Sequence, residues 1–158
     1  MRAFGAPWDA ALSVVSVVAT AIFLLVAALP LPGALWPVRV LVLAAPLAAL
    51  PFVVRGYEVR DGALWIRRLF WQTRVDLSGL RSACADPAVL RGSIRLCGNG
   101  GLYSFTGWYW NRRLGVFHAY ATGVRRVVVL TLDDRRVVVT PDDPEAFVQA
   151  LLPLCRVG

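Results

Sequence analysis

The chain contains no lysine. Its 158 residues carry 17 basic side chains, all arginine, against 10 acidic ones, with one histidine, one methionine and three cysteines. Each scarcity removes a class of chemistry. Cys84, Cys97 and Cys155 are odd in number and widely spaced, which argues against a disulfide framework and a zinc site. Isolated cysteines of this kind pack as small hydrophobes and suit a reducing compartment. His118, the sole histidine, stands in an apolar run without an orienting acid or a nucleophile beside it, so it is not read as a general base. Glutamate occurs only at Glu58 and Glu145. The paired acids Asp133-Asp134 and Asp142-Asp143 fall at turn and helix-cap positions. Gly98-Asn99-Gly100-Gly101 lacks the Lys-Ser/Thr and the helix start of a phosphate loop and reads as a turn. No catalytic residue, metal ligand or cofactor is expected, and the reading is non-enzymatic.

Charge is also missing over long stretches. Ala10 to Val38 holds no charged side chain, and after Arg39 a second uncharged run extends from Val40 to Val54. A helix crosses a bilayer with ~20 predominantly apolar residues. Residues 10–29 supply one span, and Ser13, Ser16 and Thr20 can bond back to carbonyls one turn earlier. Pro30-Leu31-Pro32-Gly33 breaks the helix. A second span is expected over about 34–54, kinked at Pro46 and Pro51, with Trp36 and a snorkelling Arg39 at its outer edge. A cleaved signal peptide is the rival reading. Against it, the run is longer than the usual apolar region, and Pro30 and Pro32 occupy the place of a cleavage site. Arg2 precedes the first span, and Arg55, Arg60, Arg67 and Arg68 follow the second. Both termini are therefore expected on the cytoplasmic side of the inner membrane, with the chain multi-pass.

What is abundant beyond residue 55 is arginine on β-like sequence. From Gly56 onward, 14 arginines face nine acids. A GC-rich coding bias explains Arg in place of Lys, but not the surplus of Arg over acid. Asp61-Gly62 between alternating runs signals a hairpin. A third strand is expected over residues 70–77, shorter ones near 80–83 and 93–97, and a strand over 115–121. Runs 125–132 and 135–140, joined at Asp133-Asp134, make an antiparallel pair. Asp142 or Asp143 caps a final helix over about 143–155, with Pro144 in its first turn and Phe147, Ala150, Leu151 and Leu154 on one face.

Tyr57-Glu58-Val59-x-Asp61-Gly62-x-Leu64-x-Ile66, the Gly-rich aromatic stretch from Gly98 to Tyr120, and Val139-Thr140-Pro141-Asp142-Asp143-Pro144-Glu145-x-Phe147 together resemble bacterial PH-like domains that follow transmembrane helices. The resemblance covers residues 56 to about 155. It implies a mainly-β PH-like barrel of about seven antiparallel strands, capped by a C-terminal α-helix and preceded by a transmembrane α-hairpin. The expected division is residues 1–55 as membrane hairpin and 56–158 as β domain. It implies no reaction.

The best contact candidates are Trp108, Tyr109 and Trp110 with Arg112 and Arg113, because amphipathic rings and arginine suit a bilayer interface. The same run also reads as a strand with alternate aromatics in the core, or as a protein contact. Arg60, Arg67, Arg68, Arg125 and Arg126 form a candidate basic face. The expected role is a binding or scaffolding module at the membrane. A structural or regulatory subunit of a membrane complex is the alternative, and a small-ligand or lipid carrier a further one. Expected partners are the bilayer, anionic lipid, and a membrane protein or second copy. Nucleic acid is set aside for want of a recognition motif.

Overall fold

The structure, a computed structural model, describes residues 2–30 and 32–155. Leu31, in the expected helix break, and residues 156–158 of the expected β domain lie outside the described residues. Asp61 and Gly62 both adopt positive φ, 52° and 66°. Their turn closes the antiparallel hairpin of β2 (Val54–Arg60) and β3 (Ala63–Arg68), as Asp-Gly favours. β4 (Gln72–Asp76) continues this sheet on one side. On the other side the sheet gains a strand that sequence patterning did not show. β1 (Arg2–Gly5) pairs with β2, Arg2 opposite Val59 and Gly5 opposite Gly56. Four residues give too short an alternation to stand out from a leader, and only the pairing defines them. The segment ahead of the apolar helices is thus part of the β domain, and the boundary at residue 55 does not coincide with the edge of the sheet.

Two helices fill the interval between β1 and β2. α1 runs Ala10–Ala28, close to the expected 10–29. α2 runs Trp36–Ala49 and tightens into a 3-10 turn over Leu50–Phe52, where Pro51 has no amide to donate. Among the described residues only α1 is long and apolar enough to cross a membrane; Trp36–Phe52 is shorter than the expected 34–54. The two pack as a hairpin, and Arg39 on α2 donates to the Leu29 carbonyl at the tip.

The second sheet has six strands in the order β5-β9-β10-β8-β7-β6. These are β5 (Leu80–Ala85), β6 (Ile94–Gly100), β7 (Phe105–Asn111), β8 (Gly115–Ala121), β9 (Val128–Leu132) and β10 (Arg136–Val139). The expectation of about seven all-antiparallel strands in one barrel needs correction. Among the described residues there are ten strands in two sheets, and β10 runs parallel to β8. The β9–β10 hairpin returns antiparallel as expected, but the strand β10 joins next was laid down earlier in the chain, so their direction is set by tertiary packing.

Gly98 is not a loop residue. It sits in β6 opposite Gly107 of β7, and a Cβ on Gly107 would fall 2.2 Å from the Cys97 carbonyl oxygen. The two glycines let the strands approach where a side chain has no room.

The core lies between the sheets, where Tyr57, Leu64, Ile66, Val75, Leu130 and Val139 are buried. Full burial of such side chains contributes roughly 1.5–3 kcal/mol each. α3 (Pro144–Leu151) closes one end, with Phe147 edge-on to Phe4 at 5.0 Å and to Tyr57 at 6.1 Å. Asp143 accepts the Ala146 amide at 2.9 Å and so caps the helix, with Pro144 in its first turn. A second cluster, with Val89, Tyr109, Phe117 and Val129, lies on the other face of the six-stranded sheet.

Candidate functional site

Strand alternation puts Leu64, Ile66 and Arg68 on one face of β3, and the first two belong to the core. Arg68 follows them inward and is only 9% exposed. Its Nε donates to Thr73 Oγ1 and its Nη1 to the Phe52 carbonyl, both at 3.1 Å. The guanidinium lies 5.4–5.8 Å from the ring centres of Phe52, Trp71 and Tyr120. Among the described residues no carboxylate forms an ion pair with it. Burial pulls the Arg68 pKa below its ordinary value, and Tyr120 and Tyr57 oppose that pull. Arginine nevertheless stays charged at any physiological pH.

His118 on β8 lies beside this cation. Its ring lies tilted against Tyr120 at 4.3 Å and edge-on to Trp108 at 4.7 Å. Among the described residues its buried Nδ1 has no hydrogen-bond partner. Desolvation, followed by the charges of Arg68 and Arg135, brings the His118 pKa down to about 4, so the ring is neutral at physiological pH. Burial also raises the Tyr120 hydroxyl, with Arg68 and Arg135 pulling the other way.

These groups line a cavity of about 550 Å³ between α2 and the six-stranded sheet. Ala48 and Ala49 of α2 and Phe52 of the 3-10 turn after it form an apolar wall; Arg68, Thr106 and His118 supply polar atoms. The cavity therefore offers one delocalised positive charge and a neutral imidazole facing hydrocarbon. Among the described residues, no three His, Cys, Asp or Glu side chains gather as a metal site.

Apart from Arg68, the candidates from sequence fall elsewhere. Along β7, Tyr109 is buried, stacks on Phe117 at 5.9 Å and donates its hydroxyl to the Asn99 carbonyl at 2.8 Å. Trp108 and Trp110 point to the opposite face and are 41% and 38% exposed. Arg112 and Arg113 are exposed in the β7–β8 turn, where Arg113 pairs with Asp86 at 2.8 Å. That turn is at the far end of β7 from the helices, since Ser104 bonds the Phe52 carbonyl at the near end. Seven residues of strand separate the two ends, about 23 Å.

The five arginines of the candidate basic face do not converge. Arg60 stacks on Trp65 at 4.5 Å and donates to Gln72, Arg67 is exposed, and Arg68 points inside. Arg125 and Arg126 are exposed in the β8–β9 connection, with the Arg125 amide bonded to Asp9 and the Arg126 side chain to the Asp142 carbonyl. The partners of Arg68 that sequence reasoning missed are Phe52, Trp71, His118 and Tyr120. The parity of Leu64, Ile66 and Arg68 was the one local signal pointing to it.

Comparison with known proteins agrees with the fold. No curated protein and no solved structure matches the chain significantly. A protein family described as bacterial PH domain matches residues 55–154, from the start of the β2–β3 hairpin to the 3-10 turn that follows the closing helix. The chain belongs to the bacterial PH domain family.

Proposed function

We propose that the chain is a non-enzymatic PH module anchored in the cytoplasmic membrane by its helical hairpin, with both termini cytoplasmic. The observation that carries this reading is the exposure of apolar side chains around the hairpin. Val17, Leu25, Leu41 and Leu47 are 64–71% exposed. Water around such a surface is costly, and lipid removes the cost. α1 measures about 28 Å at 1.5 Å per residue, close to the ~30 Å hydrocarbon thickness.

The seating of the hairpin on the domain supports it further. β1 precedes α1 and pairs with β2, which follows α2, so both ends of the hairpin leave from one sheet. Trp8 and Tyr103 lie 6.2 Å apart near the start of α1, and Phe52 and Trp71 lie 5.5 Å apart at the end of α2. Phe70 beside them is 75% exposed. Aromatic rings of this kind favour the bilayer interface. Trp110 and Arg112, toward the end of β7 away from the hairpin, suit a protein partner better than lipid, and the module then serves as a scaffold.

Alkaline carbonate washing of native membranes tests the anchor. The chain stays with the pellet and is released only by detergent. Release into the carbonate supernatant sinks this reading.

A further inference from the structure

We propose that the cavity beneath α2 binds an anionic amphiphile, with its phosphate or carboxylate group at Arg68 and its hydrocarbon chain along Ala48, Ala49 and Phe52. The membrane reading supplies the source of such a molecule, but the site stands on its own geometry.

Three observations carry it. Arg68 is more than nine-tenths buried, two of its donor atoms are used by Thr73 and the Phe52 carbonyl, and no carboxylate among the described residues neutralises it. A buried charge left without a counter-ion is expensive. An arriving anion removes that cost and accepts charge-assisted bonds. Next, the space is real: about 550 Å³, within the range of small-molecule sites, between Arg68 and the sheet. Finally, its walls differ. Arg68, Thr106 and His118 offer polar atoms, whereas α2 and the 3-10 turn after it offer methyl groups and a phenyl ring. A free inorganic anion would leave the apolar wall unused, and a neutral lipid would leave Arg68 uncompensated. An anionic headgroup on an acyl chain satisfies both. Arg67 on the same strand is exposed, and Arg60, half-buried, already stacks on Trp65 and lies 3.9 Å from Glu58.

The test is native mass spectrometry of the full chain in neutral maltoside detergent, titrated with oleate, lysophosphatidate, lysophosphatidylcholine and inorganic phosphate. One equivalent of oleate or lysophosphatidate binds, and each displaces the other. Lysophosphatidylcholine, whose phosphate is already balanced by its own choline cation, and inorganic phosphate, which has no chain for the apolar wall, bind at least about tenfold more weakly. Arg68→Gln weakens both anionic amphiphiles by about tenfold or more. Ala48→Trp, on an exposed helix position, fills the cavity while leaving Arg68 in place and lowers binding as much. Equal affinity for the zwitterionic lipid, equal affinity for inorganic phosphate, or unchanged binding in the Ala48→Trp chain overturns the proposal. Carbonate extraction of both variants is run in parallel. Retention in the membrane with lost binding separates failure of the cavity from failure of the anchor.

Discussion

The backbone amide of Tyr103 donates to the side-chain hydroxyl of Ser16 across 3.0 Å, although 87 residues separate them. Ser16 also reaches the Gly101 carbonyl at 3.4 Å, and Thr20 meets the Tyr103 hydroxyl at 2.9 Å. The β6–β7 turn therefore lies along the first half of α1. Asn99 takes up more of its backbone, accepting the Leu102 amide and donating to the Leu102 carbonyl. Irregular backbone tolerates a low-dielectric surrounding only when its polar groups are satisfied in this manner.

From that arrangement the turn is expected to be drawn into the membrane alongside the first half of α1. In a chain whose three native cysteines are replaced by Ser, Leu102→Cys reacts slowly with a membrane-impermeant maleimide in vesicles, and Arg112→Cys, at the far end of β7, reacts quickly. Equal rates at the two positions contradict the placement.

Tyr57 ties the two sheets together. Its buried hydroxyl donates to the Tyr120 carbonyl at 2.5 Å and accepts the Thr140 amide at 3.1 Å. Burial raises its pKa to about 12, so the donor proton is retained across the working pH range. Tyr57→Phe keeps the ring and strands two backbone groups. The expected cost is about 1–3 kcal/mol, read as a fall in Tm of about 4–8 °C per kcal/mol for a domain of this size. An unchanged Tm shows that water replaces the hydroxyl.

His118 makes stability depend on pH. Its folded value near 4 lies below the ordinary ~6.5 of an unfolded histidine. The unfolded chain binds the proton first as pH falls, so the contribution of His118 is whole above about pH 6.5 and is lost on descent toward about 4. The Tm advantage of the native chain over His118→Gln accordingly shrinks across that window, while carboxylates common to both chains cancel. A constant difference between the two profiles refutes this assignment.

Gly107 has φ of 138° and no room for a Cβ. Gly107→Ala forces β6 and β7 apart and is expected to destabilise by about 3 kcal/mol or more. Gly33→Ala, with nothing within 4 Å of the added carbon, is the control and leaves chemical denaturation unchanged. Equal midpoints for the two variants would mean that the strands separate without strain.

Elements governed by neighbours in the chain were legible beforehand. The uncharged run of α1, the Asp61-Gly62 turn, the Asp133-Asp134 return and the Asp143–Pro144 helix start each depend on residues within a few positions. The aromatic run was legible as a strand, but its two faces were not ranked. Alternation alone could not say that Tyr109 goes in with Phe117 and that Trp108 comes out beside His118. The candidate site was less accessible still. Arg68 looked like one more arginine of a basic face until β3 brought it opposite β8 and α2 covered it.

The amino-acid sequence by itself determined the apolar hairpin, most of the strands, the closing helix and the family, because periodicity and turn chemistry act over short distances. Tertiary structure alone decided that β1 enters the sheet ahead of the hairpin, that β10 runs parallel to β8, and that Arg68 is enclosed without an acid. Each of these joins segments tens of residues apart, and their energies come from surfaces and hydrogen bonds that exist only once the chain has closed on itself.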